Sequence, residues 1–459
     1  EEWCSALALK PGPSSHSQNL RFLVAFSFRM SPVHSPQKLV SMTHQTWKGK
    51  QHCRQQGNDQ LELLLSLGQV APLASVRQAL DTAWDTWRWS PKRATSVLSG
   101  LAKERRPWIA IHVLTCMREE NVELDVFHCS AAISACANAC HWELAIGIVN
   151  LMDQLRIMLN AISCNSAVSA CLRGGQWQRA LALFGFMSEL RVTPTVVSYN
   201  AAVSACEKGG QWQHALALLG SMHQLRTTPN VISLSAGVSA CEKGGQWERA
   251  LALFSSMPEL SIMPDVISCS ALVSAFEKGG QWQRALECFS SMPRLRITPN
   301  IVSCNAALSA CEKRGRWEQA LALLTYVPRL GILPDTISCS AAISACEKEG
   351  QWQHALALFT SMPQRQIAPD VFSCSAAVSA CERVGHWQRA LALYCSMAPL
   401  CITPNVVIGS AAMTACEKGG QWRLTVALFH SMTDLRITPD LISCNAVVNA
   451  CEKGGQWQR

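Results

Sequence analysis

Two columns of small polar side chains recur along the 459-residue chain, and their types suit recognition through hydrogen bonds. The first holds Thr95, Ser130, Asn165, Asn200, Ser235, Ser270, Asn305, Ser340, Ser375, Ser410 and Asn445. The second, 30 residues further on for all but Asn445, holds Asp125, Asn160, Thr195, Asn230, Asp265, Asn300, Asp335, Asp370, Asn405 and Asp440. A carboxylate only accepts hydrogen bonds, whereas an amide donates and accepts, so an Asp/Asn column sorts partners by the group they present. Catalysis leaves no comparable trace. No nucleophile triad, phosphate loop or dinucleotide fingerprint occurs. His141-Trp142-Glu143 imitates the H-x-E of zinc deaminases but no C-x-x-C follows, and Cys136-x3-Cys140 lacks zinc-finger spacing. No catalytic residue, metal or cofactor is expected.

The frame that must position these columns is a repeat. Trp falls at 142, 177, 212, 247, 282, 317, 352, 387, 422 and 457, a constant period of 35. A fixed period of roughly 20 to 50 residues marks an array of stacked supersecondary units rather than independent domains. With Val196 as position 1 and Asn230 as position 35, nine full units fill 126–440. A degenerate unit precedes them at 91–125, with its Trp displaced by one place to Trp108, and a truncated unit follows at 441–459. Residues 59–90 are expected to form a helical N-terminal cap region. The chain begins without Met and stops at Gln458-Arg459 after one helix, so it is expected to be a fragment at both ends.

Within the unit 196–230, Tyr199, Val203 and Cys206 share one helical face, and Gly209-Gly210 ends that helix. Trp212, Ala215, Leu216, Leu219 and Met222 form a second helical stripe, with Pro229 expected to stop it. Neither face can be buried within one hairpin, so neighbouring units must stack. The expected fold is all-α, a solenoid of helix-turn-helix repeats.

Hydrophobic residues at 49% and charged residues at 16% argue against disorder throughout, and no run of 18 or more apolar residues exists to span a bilayer. Of 23 cysteines, nine occupy position 11 and seven position 4. Two cysteines seven apart on a helix lie about 10 Å apart along its axis, too far to bridge. They read as small buried hydrophobes in a reducing compartment.

The unit VVSYNAAVSACEKGGQWQHALALLGSMHQLRTTPN, 196–230, resembles the P-type arrays of the pentatricopeptide repeat family: a hydrophobic pair, Tyr or Cys, then Asn, closing with Pro-Asn or Pro-Asp. The resemblance covers 91–459. Trp at position 17, Cys at position 4 and Leu159 in place of a closing Pro depart from the pattern. Membership implies a right-handed superhelix that binds single-stranded RNA with one base per repeat. It implies that positions 5 and 35 select the base, and that position 2 sandwiches it: Phe127, Ile162, Val197, Ile232, Ile267, Val302, Ile337, Phe372, Val407 and Ile442. Ordinary core is the competing reading of position 2. Helix capping and turn chemistry are the competing readings of positions 5 and 35.

The central ring nitrogen of the Watson–Crick edge is a donor in G and U and an acceptor in A and C. Asp at position 35 is therefore expected to favour G or U, and Asn to donate to A or C while accepting from their exocyclic amines. At position 5 the resemblance implies Ser or Thr for purines and Asn for pyrimidines. Read in the family's parallel polarity, the target becomes 5′-GAYCGAUGAG-3′, with Thr95 and Asp125 at its first base and Ser410 and Asp440 at its last.

A basic column at position 13 could track phosphates: Arg173, Lys208, Lys243, Lys278, Lys313, Lys348, Arg383, Lys418 and Lys453. A cation before Gly-Gly also suits a helix C-terminus, and an adjacent Glu offsets its charge in most units. Residues 91–459 carry 31 basic and 26 acidic groups, a modest +5 for a nucleic-acid binder. Affinity would then lean on stacking and hydrogen bonds.

Residues 3–58 contain seven Lys or Arg, many Ser and no acid, like an organelle transit peptide; Leu20 begins the apolar stretch LRFLVAFSFRM, too short for a membrane span. With the family's mitochondrial and chloroplast location, the expected function is sequence-selective binding in organellar RNA processing, stability or editing, without catalysis. Protein partners from RNA processing or editing fit that role, and a membrane does not. The alternative is a tetratricopeptide-like scaffold holding a peptide in its groove.

Overall fold

The computed structural model describes residues 59–455, apart from Arg226 and the side chain of His223. The basic segment 3–58 and Trp457 lie outside the described residues. Among them the regular structure is helical throughout, and no helix is long and apolar enough to cross a membrane.

Residues 59–90 hold helices at 59–66, Leu73–Ala79 and Trp84–Trp89. Hairpins follow. Pro91–Lys103 pairs with Pro107–Glu119, and Pro107 takes the first place of the second helix that Trp takes in later units. The unit 196–230 shows the standard form, with helices Val196–Lys208 and Trp212–Gln224. The truncated unit supplies Leu441–Lys453. First helices pack directly on the first helices of both neighbouring units, whereas second helices pack against the first helices beside them. First helices thus form one continuous packed layer, with the second helices beside it. The result is an α-solenoid.

The core follows the two stripes. Tyr199, Val203 and Cys206 are buried, as are Ala215, Leu219 and Met222. Ala and Cys dominate the buried first-helix positions, and their small volume lets consecutive first helices approach closely. Burial pushes the Cys206 and Cys311 thiols up to about 12 and about 11. The repeat-position cysteines are free thiols, mostly buried, with Cys444 exposed.

The two glycines of Gly244-Gly245 answer different constraints. Gly245 takes the left-handed conformation that ends the first helix, at φ +67°. A Cβ on Gly244 would fall 2.2 Å from Cδ1 of Trp212 in the preceding unit. The Trp212 ring is covered on another side by the Arg249 guanidinium, 4.1 Å from its centroid. Trp142 is covered likewise by Arg179, and Trp352 by Arg389. The Trp column therefore stitches each unit to the next.

Second helices end earlier than the closing proline. Helix Trp212–Gln224 stops five residues before Pro229. Helix Trp177–Glu189 likewise stops before the left-handed residue Arg191 at φ 55°. The left-handed residue Arg191, at position 31, ends helix Trp177–Glu189, and the proline merely keeps the linker extended.

Candidate nucleic-acid interface

Position 35 is the N-cap of the next unit's first helix. Ser268 N donates to Asp265 Oδ1 at 2.8 Å, and Ser303 N donates to Asn300 Oδ1 at 2.9 Å. Asp125, Asn160, Thr195, Asn230, Asp335, Asp370, Asn405 and Asp440 cap in the same way. The capping alternative thus holds for position 35 but not for position 5, which lies inside the first turns. The reciprocal capping partner is position 3. Asp265 N donates to Ser268 Oγ at 2.9 Å, completing a capping box repeated at most unit boundaries. This serine column went unassigned in the sequence, although its signature, a serine three places after most closing residues, was visible there, with His128 and Ile408 as exceptions.

The structure brings positions 5 and 35 together. Asn200 Nδ2 donates to Asn230 Oδ1 at 3.3 Å, Ser235 Oγ to Asp265 Oδ1 at 3.1 Å, and Asn305 Nδ2 to both oxygens of Asp335 at 3.2 Å. Ser270 meets Asn300, Ser340 meets Asp370, Ser410 meets Asp440, and Asn165 meets Thr195 at 3.5 Å. Thr95 instead donates to the Pro91 carbonyl and Ser130 to that of Val126, so neither is bonded to its expected partner, Asp125 or Asn160. Ser375 and Asn405 make no bond to each other, and Asn445 stands exposed.

Capping corrects one part of the hydrogen-bond expectation. A backbone N–H must meet an oxygen, so each capping Asn turns Oδ1 inward. Asn230 Oδ1 already accepts from Ser233 N, Ser233 Oγ and Asn200 Nδ2. That oxygen has no capacity for an exocyclic amine. These bonds leave Nδ2 over at Asn230, and at Asp265, where Ser268 N and Ser235 Oγ both meet Oδ1, they leave Oδ2. The column therefore offers a donor or an acceptor. Ser443 holds the Asp440 carboxyl below the usual carboxylate range by donating its hydroxyl, so Asp440 stays an acceptor.

Position 2 is not core. Phe127, Ile162, Val197, Ile232, Ile267, Val302, Ile337, Phe372, Val407 and Ile442 are between 54% and 78% exposed. They stand three residues before position 5 on the same helical face and form an apolar row beside the polar pairs. Four position-5 serines, Ser130, Ser235, Ser270 and Ser410, are recessed to below 9% exposure, while Asn165, Asn200 and Asn305 stand higher.

The basic column is occupied elsewhere. Lys243 meets Glu207 at 2.9 Å, Lys278 meets Glu242 and Lys313 meets Glu277 at 2.6 Å, and Lys418 and Lys453 meet Glu382 and Glu417 at 2.7 Å. Lys348 and Arg383 reach Glu312 and Glu347 at longer range. The partner is the Glu at position 12 of the preceding unit, not the adjacent Glu of its own. Where that position holds Ala137 or Leu172, Arg173 and Lys208 donate to backbone carbonyls. His141 stands at the N-cap position of helix Trp142–Gln154 without a side-chain capping bond and packs edge-on against Trp108, and no group of three or more metal-ligating side chains occurs among the described residues.

The sequence matches the PPR repeat family over 334–383, the pentatricopeptide repeat domain over 148–209 and 252–314, and the PPR repeat over 197–226, 238–262 and 302–332. The fold is similar to that of the pentatricopeptide repeat protein PPR10 from maize, with a TM-score of 0.54 at 22% identity over 84% of this chain. The chain spans 55% of the maize protein's length. PPR10 in complex with an 18-nt psaJ RNA element superposes at a TM-score of 0.43, with 20% identity over 86% of this chain and 62% of that one. The PPR domain of Arabidopsis thaliana protein-only RNase P 1 in complex with tRNA gives 0.32, with 15% identity over 36% and 85%. No curated protein matches the chain.

Proposed function

The chain belongs to the pentatricopeptide repeat family, and from that premise we propose that it binds single-stranded RNA sequence-selectively, one base per unit. The observation that carries this reading is the pairing of positions 5 and 35 on an exposed face beside the apolar row of position 2. A base edge-on to such a pair meets either an amide donor or a carboxylate acceptor, and its faces meet aliphatic or aromatic side chains. Four of the six position-5 serines are recessed, Ser340 and Ser375 are not, and the shorter serine side chain leaves more depth than asparagine, which supports the assignment of serine units to purines and asparagine units to pyrimidines. The peptide-scaffold alternative has no use for two paired columns whose donors and acceptors vary while the flanking columns stay nearly fixed.

The lysine–glutamate pairs occupy most of the basic column at position 13, so stacking and hydrogen bonds supply most of the affinity. RNA processing, stabilisation or editing in a mitochondrion or chloroplast is the proposed setting. It rests on the basic segment 3–58 and the family's usual location.

Fluorescence anisotropy with 5′-GAYCGAUGAG-3′ tests the reading against the same RNA carrying A at the seventh base. Binding weakened by about 1 to 3 kcal/mol supports the code and its register. Equal binding to both rejects the register, and no binding at low salt rejects RNA as the partner.

A further inference from the structure

The side chain at position 3 touches the reading residues at the preceding unit boundary, and nothing above gives it a part in recognition. We propose that it is a positioning residue for base selection, acting through positions 35 and 5. The inference rests on the RNA reading above and adds a determinant to it.

The geometry at Asn300 shows how. Ser303 N donates to Asn300 Oδ1 at 2.9 Å, Asn300 N donates to Ser303 Oγ at 3.1 Å, and Ser303 Oγ donates to the Asn300 carbonyl at 2.8 Å. A lone bond to Oδ1 would let the amide plane swing about that oxygen. The reciprocal bonds fix the Asn300 backbone as well, so its Nδ2 points in one direction. Ser303 is fully buried and cannot meet a base itself.

The hydroxyl also reaches position 5. Ser338 Oγ contacts both Asp335 Oδ1, at 2.8 Å, and Asn305 Oδ1. At the boundary of Asn200 and Asn230 the Ser233 hydroxyl turns to Asn230 instead, and the buried Asn200 Oδ1 has no partner. One rotatable hydroxyl thus sets the hydrogen bonds of either reading side chain.

The chain contains its own comparison. Ser270 with Asn300 and Ser375 with Asn405 are the same pair, yet the residue at position 3 is Ser303 in one case and Ile408 in the other. Ile408 N still donates to Asn405 Oδ1 at 3.0 Å, but the buried isoleucine has no hydroxyl to complete the box. Two units with one letter therefore differ in how firmly the letter is held.

The test uses the full chain and the ten-nucleotide RNA, with A replaced by G at the sixth base, facing Ser270 and Asn300, or at the ninth, facing Ser375 and Asn405. The unmodified chain is expected to prefer A more strongly at the sixth base than at the ninth. Ser303→Ala is expected to cut the preference at the sixth base about fivefold, the worth of one capping interaction, and to leave the ninth unchanged. Ser303→Thr restores it. Ile408→Ser, which adds a hydroxyl, raises the preference at the ninth base by a similar factor and decides the matter if Ser303→Ala does not fold. Equal loss of affinity for both RNAs on Ser303→Ala would mean a purely structural serine and overturn the proposal, as would unchanged preferences in all variants. Loss of the base reading itself shows differently: the unmodified chain would then prefer no base at any position, and this inference would fall with it.

Discussion

Asn305 Nδ2 lies 3.2 Å from both carboxylate oxygens of Asp335, although the two residues belong to first helices of successive units. Asp335 is at once the start of the next helix and the acceptor facing the preceding one. Asp335→Asn keeps a good N-cap, so it is expected to change stability by less than about 1 kcal/mol. It exchanges the outward acceptor for a donor. The preferred seventh base is expected to move from U to C, by about 1 to 3 kcal/mol in anisotropy titrations. A retained preference for U would separate this pair from base selection.

The Trp212 and Gly244 contact makes a prediction about stability alone. Gly244→Ala places a methyl group inside the Trp212 ring and must displace it, at about 1 to 3 kcal/mol. Gly245→Ala meets no atom but holds an L side chain at φ +67°, at about 1 kcal/mol. Urea unfolding of both variants compares them. An unchanged midpoint for Gly244→Ala would show that the Trp column does not hold the units together.

The Lys278–Glu242 and Lys313–Glu277 pairs are half exposed on the lysine side, so each contributes about 0 to 1 kcal/mol. Lys278→Gln with Lys313→Gln is expected to leave the salt dependence of RNA binding unchanged, because both charges are already neutralised. A slope reduced by about one for each lysine would place them on phosphates instead.

Burial raises the thiol pKa of Cys206 to about 12 and of Cys241, Cys346 and Cys381 to about 11, from a reference of 9.0. In the folded chain these thiols stay protonated while the unfolded chain ionises. Their contribution to stability is complete below about pH 9 and is lost as the pH rises toward 11 and 12. Alkylation at pH 8 followed by mass spectrometry is expected to modify the exposed Cys140, Cys395, Cys401 and Cys444 well before the buried column. Equal labelling would mean that the array opens readily.

Much of this architecture was legible because it repeats. The Trp period and the Gly-Gly pairs placed the hairpins, and the two polar columns were set apart by varying between neighbours that do not. What could not be read were contacts between units. The lysine at position 13 has a glutamate beside it in sequence, but helical geometry turns that residue away and presents the Glu of the preceding unit, as Lys313 and Glu277 show. The row at position 2 was ambiguous because an aliphatic residue on a helix looks the same whether it faces core or solvent. Only the stacking direction settles that Ile267 and Val302 lie outside. At position 35 the sequence could not choose between capping and recognition, because both ask for the same small polar side chains; the structure shows the capping.

That capping position has a consequence for how such a chain changes through descent. Position 35 of each unit caps the first helix of the next, so a block of 35 residues lost or gained by unequal exchange anywhere in the array rejoins a first helix to a proper cap. Exchange with its break between positions 5 and 35 joins the first reader of one unit to the second reader of another. Under the proposed reading, the array gains or drops a letter intact, or acquires a hybrid letter, and in each case the new junction still folds.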